Sequence, residues 1–215
     1  MLHYKTVSDL LSRCLKDVMA AEVFKDFRLV GGTALSLQLG HRISVDIDLF
    51  TDAEYGSIDF GTIDQYLESN YEYASHSKII PVALGKSYIV GSDQNNAIKL
   101  DIYYTDTFIQ TAFVVDKIRI ATLAEIVAMK IDVIQRNGRK KDFWDIHELL
   151  KHFSIDQMLA LHQSRYEYNH DRNLILENMT NFGFADEDLE PICLRGKYWA
   201  FIKEDITEAV RDYLN

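Results

Sequence analysis

Residues 27–50 of the chain have the sequence FRLVGGTALSLQLGHRISVDIDLF, and this stretch decides the fold. Residues 27–30 are a short apolar run, which predicts a buried strand that ends at the pair Gly31-Gly32. Residues 33–39 are predicted to be helical and are followed by Gly40, a residue type that often ends a helix. A glycine turn between a strand and a helix gathers backbone N–H groups into an anion site, although a glycine pair is also common in plain tight turns.

Residues 43–50 alternate between apolar and polar side chains. The apolar residues are Ile43, Val45, Ile47 and Leu49, and the polar residues between them are Ser44, Asp46 and Asp48. This period of two predicts a strand with one buried face and one face that carries carboxylates. Asp46 and Asp48 would lie about 7 Å apart, and two ionised carboxylates at that distance repel each other unless a cation such as Mg²⁺ binds between them. The alternative is a solvated strand face with ordinary polar residues.

A third aspartate, Asp101, lies in a second strand-like stretch at residues 96–104. A site with two metal ions about 3.5–4 Å apart needs a bridging ligand and further ligands, so it predicts a third carboxylate. The alternative for Asp101 is an ordinary position on the surface of a strand. Residues 79–83 and 87–90 are predicted to be further strands of the same antiparallel set, and Asp116-Lys117 is predicted to be a turn.

The chain changes character near residue 120, where helical patterns begin to dominate. Thr122 and Glu125 have the spacing of a capping box, which predicts the start of a helix. Helices are predicted at residues 7–24, 63–70, 122–137, 141–152, from 154 past 161, and 199–214. No linker rich in Gly, Ser or Pro separates the halves, so we expect domains at 1–120 and 121–215 that pack together around an active-site cleft.

The composition excludes several classes of protein. The 215 residues carry a net charge of −10, from 23 Lys and Arg against 33 Asp and Glu. This charge argues against a protein that coats nucleic acid non-specifically, because such binding neutralises phosphates. Cys14 and Cys193 are too few for a disulfide framework or a zinc site. No apolar run reaches the ~20 residues of a membrane span and no secretory signal is visible, so we expect a cytoplasmic protein with no membrane partner.

The glycine turn and the aspartate pair resemble a known family. Residues 31–35 (GGTAL) and 42–50 (RISVDIDLF) are similar to the first motif of the AbiEii/AbiGii family in the spacing from the glycines through the arginine to the acidic pair. Members are nucleotidyltransferases of the DNA polymerase β-like superfamily and toxins of type IV toxin–antitoxin and abortive-infection systems. The resemblance covers roughly residues 28–152. It implies an α+β fold: a nucleotidyltransferase palm with a mixed, largely antiparallel sheet flanked by helices, followed by a C-terminal helical bundle.

The resemblance also implies roles for individual residues. Asp46 and Asp48 would hold two Mg²⁺ ions. Asp101 maps onto the superfamily's third catalytic carboxylate and would complete the metal site near the attacking hydroxyl. The residues that would face the triphosphate of an NTP are Gly31, Gly32, Thr33, Arg42 and Ser44.

Lys130 is the candidate that the helical half contributes. It falls within an apolar helical stripe, from which Asp132 points away. The stripe consists of Leu123, Ile126, Val127, Ile131 and Ile134. Lys130 either forms an ion pair with Asp142 or Asp145 that joins two helices, or binds nucleotide phosphates. Residues 128–146 are similar to the family's third motif, in which a lysine and an aspartate matter for activity, and this favours the functional interpretation of Lys130.

A basic cluster lies between these two predicted helices. It consists of Arg136, Arg139, Lys140 and Lys141. A solvated loop between helices is one interpretation, and a surface that guides a triphosphate or an RNA end is the other. The predicted nucleotide-binding residues of this half are Lys130, Arg136, Lys141, Asp142 and Asp145.

The residues and the resemblance together predict an enzyme that moves a nucleoside monophosphate from an NTP to an acceptor hydroxyl. Two Mg²⁺ ions on the three aspartates would activate the hydroxyl and neutralise the leaving pyrophosphate. The resemblance favours an RNA end, such as the tRNA acceptor stem, allows a protein side chain, and implies a winged-helix antitoxin encoded nearby. Two alternatives stay open: a protein modifier of the same fold with a non-toxic role, and a catalytically silent NTP-binding module.

Overall fold

The structure, a computed structural model, describes residues 1–76 and 84–215. The predicted strand at residues 79–83 lies outside the described residues. The helices are α1 (Asp9–Ala20), α2 (Gly31–Leu39), α3 (Phe60–Asn70), α4 (Leu123–Gln135), α5 (Lys140–Leu149), α6 (Ile155–Arg165), α7 (Arg172–Thr180), α8 (Gly183–Asp186) and α9 (Trp199–Leu214). The strands are β1 (Arg28–Leu29), β2 (Asp46–Thr51), β3 (Tyr73–His76), β4 (Gly85–Asp93), β5 (Asn96–Tyr104), β6 (Phe113–Val115) and β7 (Ile118–Ile120).

The chain divides into two compact units. The first comprises Met1–Leu39 and Ser44–Ala121 and contains every described strand together with α1, α2 and α3. The second comprises Gly40–Ile43 and Thr122–Asn215 and contains α4 to α9. Within the described parts of the chain, none of the helices combines the length and the apolar character needed to cross a membrane.

The first unit is built on a sheet with the strand order β3-β4-β5-β2-β1-β7-β6. The pairs β2–β5 and β1–β7 are parallel, and the other described pairs are antiparallel. Helix α1 lies against β2, β5 and β7 and buries Leu11, Leu15 and Val18 completely. The prediction of an α+β fold with a mixed, largely antiparallel sheet is therefore confirmed, and the turn at Asp116-Lys117 joins β6 to β7 with positive φ at both residues.

The strand predicted at residues 43–50 begins later, at Asp46. Val45 was expected on the buried face but is 64% exposed, whereas Ser44 is buried. The prediction was wrong for these two positions because the segment before Asp46 lies outside the sheet. There Ser44 turns inward and its hydroxyl forms a 2.9 Å hydrogen bond with the hydroxyl of Thr33 in α2.

The turn from β1 into α2 requires glycine at position 31. Gly31 has a φ of 68°, a left-handed conformation that disfavours any residue with a Cβ. A Cβ at Gly31 would also collide with the carboxylate of Asp48, whose Cγ would be 3.2 Å away. The backbone N–H of Val30 donates to the carbonyl of Asp48 at 2.9 Å, so the start of α2 lies directly against β2.

The start of α4 in the second unit is capped at Thr122, as predicted. Thr122 accepts a hydrogen bond from the backbone N–H of Glu125 at 3.2 Å. The Glu125 carboxylate forms an ion pair with Arg165 of α6, and both side chains are fully buried. A buried ion pair thus links the first turn of α4 to α6.

The other helices of the second unit match the sequence unevenly. Helix α9 has the predicted bounds, and α6 begins after Ser154 with a capping box that includes Gln157. Helix α5 ends at Leu149, three residues before the predicted end. Helices α7 and α8 were not predicted. Helix α7 interleaves polar and apolar residues without a clear stripe, and α8 is four residues long.

The buried pair of Glu125 and Arg165 gives a prediction about stability. Glu125→Ala removes the carboxylate that balances a buried guanidinium, so we expect the free energy of unfolding to fall by about 3–5 kcal/mol. Glu22→Ala, which breaks the exposed pair with Lys25, is the control and should leave the free energy of unfolding nearly unchanged. Urea unfolding measures both, and a loss below ~1 kcal/mol for Glu125→Ala would contradict the buried ion pair.

The turn at Gly31 gives a second prediction. Gly31→Ala introduces both backbone strain and the collision with Asp48, so we expect it to cost about 2–4 kcal/mol. Gly56→Ala is the matched control, because Gly56 has a φ of 87° but nothing lies within 4 Å of its added Cβ. Its cost should be about 1–2 kcal/mol. Thermal unfolding compares the two variants, and equal losses would show that Asp48 does not press on the turn.

Candidate active site

The parallel pairing of β2 with β5 brings the three predicted aspartates together. Asp48 is the register partner of Asp101, and Asp46 is the partner of Lys99. Residues paired across strands, and residues two apart along a strand, lie on the same face of a sheet. The carboxylates of Asp46, Asp48 and Asp101 therefore share one face of the first unit, and each of the three residues is half-buried.

Lys99 completes this group and was not singled out from the sequence. Its ammonium lies 2.5 Å from Oδ2 of Asp101. Partial burial works to lower the pKa of Lys99, but the hydrogen bond and charge of Asp101, helped by the charges of Asp46 and Asp48, outweigh it and raise the pKa. The spacing carried the signal, because a residue two positions before Asp101 in a strand must lie on the same face.

The donor set fits a hard cation such as Mg²⁺ in chemistry, since the three side chains offer carboxylate oxygens. Oδ1 of Asp101 is buried and has no hydrogen-bond partner among the described residues, which is the state of an oxygen that can accept a metal ion. Among the same residues, no group of three or more His, Cys, Asp or Glu side chains converges closely enough to hold a metal ion. The aspartates are thus grouped on one face but are not gathered around a common point.

The predicted triphosphate-binding residues of the first unit divide into two sets. Gly31 begins α2 against Asp48, so the N-terminus of α2 opens beside the aspartates. Thr33 and Ser44, in contrast, are buried, and the hydroxyl of Thr33 bonds to the Ser44 hydroxyl and to the backbone carbonyl of Asp46. In the structure these two hydroxyls brace the start of β2.

Arg42 belongs to the second unit, where it forms a bidentate pair with Asp145. Its Nε donates to Oδ1 at 2.7 Å and its Nη2 donates to Oδ2 at 2.8 Å. Nε2 of His41 lies 2.8 Å from the same Oδ1. Lys130 lies between the two predicted aspartates of α5, 2.7 Å from Oδ1 of Asp142 and 2.6 Å from Oδ2 of Asp145. All five side chains are buried, and we call them the Arg42–Lys130 cluster.

The charges in this cluster stabilise one another. Burial works to raise the pKa of Asp145, but the guanidinium of Arg42, the ammonium of Lys130 and the hydrogen bonds from His41 and Arg42 hold it well below its usual range. Burial works to lower the pKa of Lys130, and the charges of Asp142 and Asp145 raise it above its usual value. Both groups are therefore ionised at neutral pH, and the ion pair expected from the sequence includes both aspartates.

The predicted basic segment after α4 is dispersed rather than gathered on one surface. Arg136 pairs with Asp132, one turn earlier in α4, and its own side chain is exposed. Asp132 was expected to point away from the core, but it is buried and also lies 3.7 Å from His162. Burial, with the charges of neighbouring cations, lowers the pKa of Lys141. Lys140 is buried, 5.6 Å from the ring of Trp199.

Known proteins share this combination of sequence and fold. The profile of a family described as "Nucleotidyl transferase AbiEii toxin, Type IV TA system" matches residues 13–215. The match extends through the last helices, well past residue 152, where the resemblance recognised from the sequence ended. An uncharacterized protein of Aquifex aeolicus (strain VF5), aq_aa25, is 28% identical over 218 residues, which cover 93% of this chain and 94% of that protein.

Solved structures with the same fold include two bacterial proteins of low sequence identity. MenT4, the nucleotidyltransferase toxin Rv2826c from Mycobacterium tuberculosis H37Rv, is 16% identical, with a TM-score of 0.57 over 93% of this chain and 82% of that one. JHP933 from Helicobacter pylori is 17% identical, with a TM-score of 0.56 over 94% of this chain and 88% of that one. With the family profile matching nearly the whole sequence, the chain belongs to the AbiEii family of nucleotidyl transferase toxins of type IV toxin–antitoxin systems.

Proposed function

We propose that this nucleotidyltransferase moves a nucleoside monophosphate from an NTP to an acceptor hydroxyl on an RNA 3′ end and releases pyrophosphate. The observation that carries the proposal is the placement of Asp46, Asp48 and Asp101 on one face of β2 and β5, beside the N-terminus of α2. Phosphoryl transfer requires positioning and charge stabilisation rather than a covalent protein intermediate. Carboxylates on one sheet face and a helix N-terminus are groups that supply both.

Different residues of the chain bind the phosphates and the metal ions. The backbone N–H groups at the start of α2 bind phosphate oxygens, and Gly31 keeps that approach free of side-chain atoms. Asp46, Asp48 and Asp101 would hold two Mg²⁺ ions, which lower the pKa of the acceptor hydroxyl and neutralise charge on the pyrophosphate. Lys99 orients the carboxylate of Asp101 through its ion pair and offsets part of the local negative charge.

The toxin role is the second part of the proposal. It is supported by the family to which the chain belongs and by the fold that it shares with the nucleotidyltransferase toxin MenT4. In this role the enzyme disables RNA whose 3′ end it extends, with tRNA as the favoured acceptor. A winged-helix antitoxin encoded nearby is the expected partner.

Replacing the aspartates tests both parts. The protein is incubated with each labelled NTP, Mg²⁺ and total RNA, and the label transferred to RNA is measured. Each of the variants Asp46→Asn, Asp48→Asn and Asp101→Asn should lower label transfer at least about a hundredfold, because the metal ions lose a charged ligand. Asp93→Asn is the control, since it removes the same charge from the exposed last residue of β4. Induced expression of the wild type should arrest growth, and the same substitutions should restore it.

The outcomes separate the enzyme from the toxin. Label transfer that survives in the Asp46→Asn/Asp48→Asn double variant would contradict the proposed site. Normal growth at a good yield of active protein would contradict the toxin role but leave the enzyme intact. Label that appears on protein instead of RNA would contradict the proposed acceptor.

The Arg42–Lys130 cluster has a positioning role in this proposal. Lys130 holds Asp142 and Asp145 together, and Asp145 in turn fixes Arg42. A direct contact between Lys130 and the phosphates of the nucleotide is the competing role. Both aspartates already pair with this lysine, so an anionic ligand would have to compete with two buried carboxylates.

Kinetics of a Lys130 variant distinguish the two roles. Lys130→Met should lower the free energy of unfolding by about 3 kcal/mol and kcat at least about tenfold, with the KM for the NTP unchanged. Lys86→Met is the matched control, because Lys86 is also a buried lysine and pairs with Asp64 of α3. It should lower stability comparably and leave kcat unchanged below its melting temperature. A higher KM for the NTP in Lys130→Met alone would show that Lys130 binds phosphate.

A further inference from the structure

The sheet face that carries the three aspartates continues past them along β2 and β5. Register pairs Phe50 of β2 with Tyr103 of β5, and it pairs Ser87 of β4 with Asp101. Phe50 is two residues beyond Asp48, and Tyr103 is two residues beyond Asp101. Since the side-chain period of a strand is two, these aromatic and hydroxyl side chains share the face of the carboxylates. The two rings begin about 7 Å from the carboxylates, one repeat along each strand, and Ser87 lies directly beside Asp101.

The ring of Tyr103 extends over the neighbouring strand β4. Its register partner there is Gly85, and a Cβ at Gly85 would lie 2.6 Å from Cγ and Cδ1 of the ring. The Tyr103 hydroxyl lies 3.1 Å from Oγ of Ser87, which fixes the outer end of the ring. The Phe50 ring lies beside it, with centroids 6.1 Å apart and planes tilted by 59°. Both residues are half-buried, so each keeps part of its surface accessible.

The two sides of the aspartates offer different chemistry. On the side of β1, α2 begins against Asp48, and its backbone N–H groups favour the phosphates of the NTP. The next residue of β1 on this face is Arg28, the register partner of Phe50, and its guanidinium lies over the ring of Phe108 at 3.6 Å. On the side of β5 and β4, the rings and hydroxyls continue the face beyond Asp101. An acceptor that approaches Asp101 from the side opposite the triphosphate therefore meets Tyr103.

We infer that Phe50 and Tyr103 form a platform for the base of the nucleoside that carries the acceptor hydroxyl, with the Ser87 and Tyr103 hydroxyls bonding to its sugar. This inference rests on the proposed nucleotide transfer and names the residues that hold the terminal nucleoside of the acceptor RNA. Stacking on aromatic rings is the usual way in which proteins hold an unpaired base, and hydroxyls are suitable partners for a ribose.

Binding of RNA that lacks one base tests the platform without depending on catalysis. The probe is a short single-stranded RNA labelled at its 5′ end, compared with the same RNA whose 3′-terminal ribose has no base. Fluorescence anisotropy without NTP should show wild-type binding weakened about tenfold or more by loss of the base, the range of one stacking contact. In Tyr103→Leu the two RNAs should bind equally. Tyr103→Phe keeps the ring and should retain most of the preference.

Steady-state kinetics then show whether the platform holds the acceptor RNA or the incoming NTP. Tyr103→Leu and Phe50→Leu should raise the KM for the RNA about tenfold and leave the KM for the NTP unchanged. A higher KM for the NTP alone would mean that the platform holds the incoming nucleotide and would overturn the inference. Equal wild-type binding of the two RNAs would overturn it as well. Comparable melting temperatures of Tyr103→Leu and Tyr103→Phe would show that the loss is not one of folding.

The two proposals fail in distinguishable ways. If the wild type binds the intact RNA in preference to the abasic one but transfers no label, the proposed function fails and the platform stands. If the wild type labels both RNAs with the same KM, nucleotide transfer stands and the platform fails.

Discussion

The parallel pairing of β2 with β5 is the interaction on which the candidate site depends. The register of this pair is fixed by the apolar residues on its core face, which are fully buried. These residues are Ile47, Leu49, Leu100 and Ile102. A slip of one residue would place carboxylates in the core and apolar side chains on the open face, so hydrophobic burial fixes the position of the aspartates. Their mutual repulsion is the cost of this arrangement, and Lys99, on the same face, offsets part of it.

A second constraint acts through four residues of the connection between α2 and β2. Gly40–Ile43 lies in the second compact unit, although the residues on either side of it belong to the first. There the backbone of Arg42 bridges to Cys193, and the Arg42 side chain is clamped on Asp145. A motif that is continuous in the sequence, from the glycines to the aspartates, thus serves two units. Its arginine pairs with a residue of the helical unit, and its aspartates lie on the sheet.

Sequence periodicity and capping patterns predicted much of this structure. They failed where contacts with residues distant in the sequence determine the position of a side chain. The strand period of two places both Asp101 and Lys99 on the carboxylate face. The search for metal ligands singled out the aspartate and passed over the lysine. The capping pattern located the start of α4 at Thr122, but it could not reveal that Glu125 pairs with an arginine 40 residues away. Val45 fits the alternation in the sequence, yet it lies before the ladder begins, and strand ends are set by hydrogen bonding rather than by hydrophobicity.

The acidity of the chain bears on how an RNA end could be held at this face. With a net charge of −10, the protein gains little from the phosphate neutralisation that supplies most non-specific affinity for nucleic acids. The three aspartates add local repulsion toward a phosphate backbone until cations balance them. Base stacking carries no such penalty, because the rings of Phe50 and Tyr103 and the base are uncharged. An acidic nucleotidyltransferase that binds the terminal base would therefore select strand ends, because an unpaired base is available there. A basic surface, in contrast, would bind a charged duplex along its length.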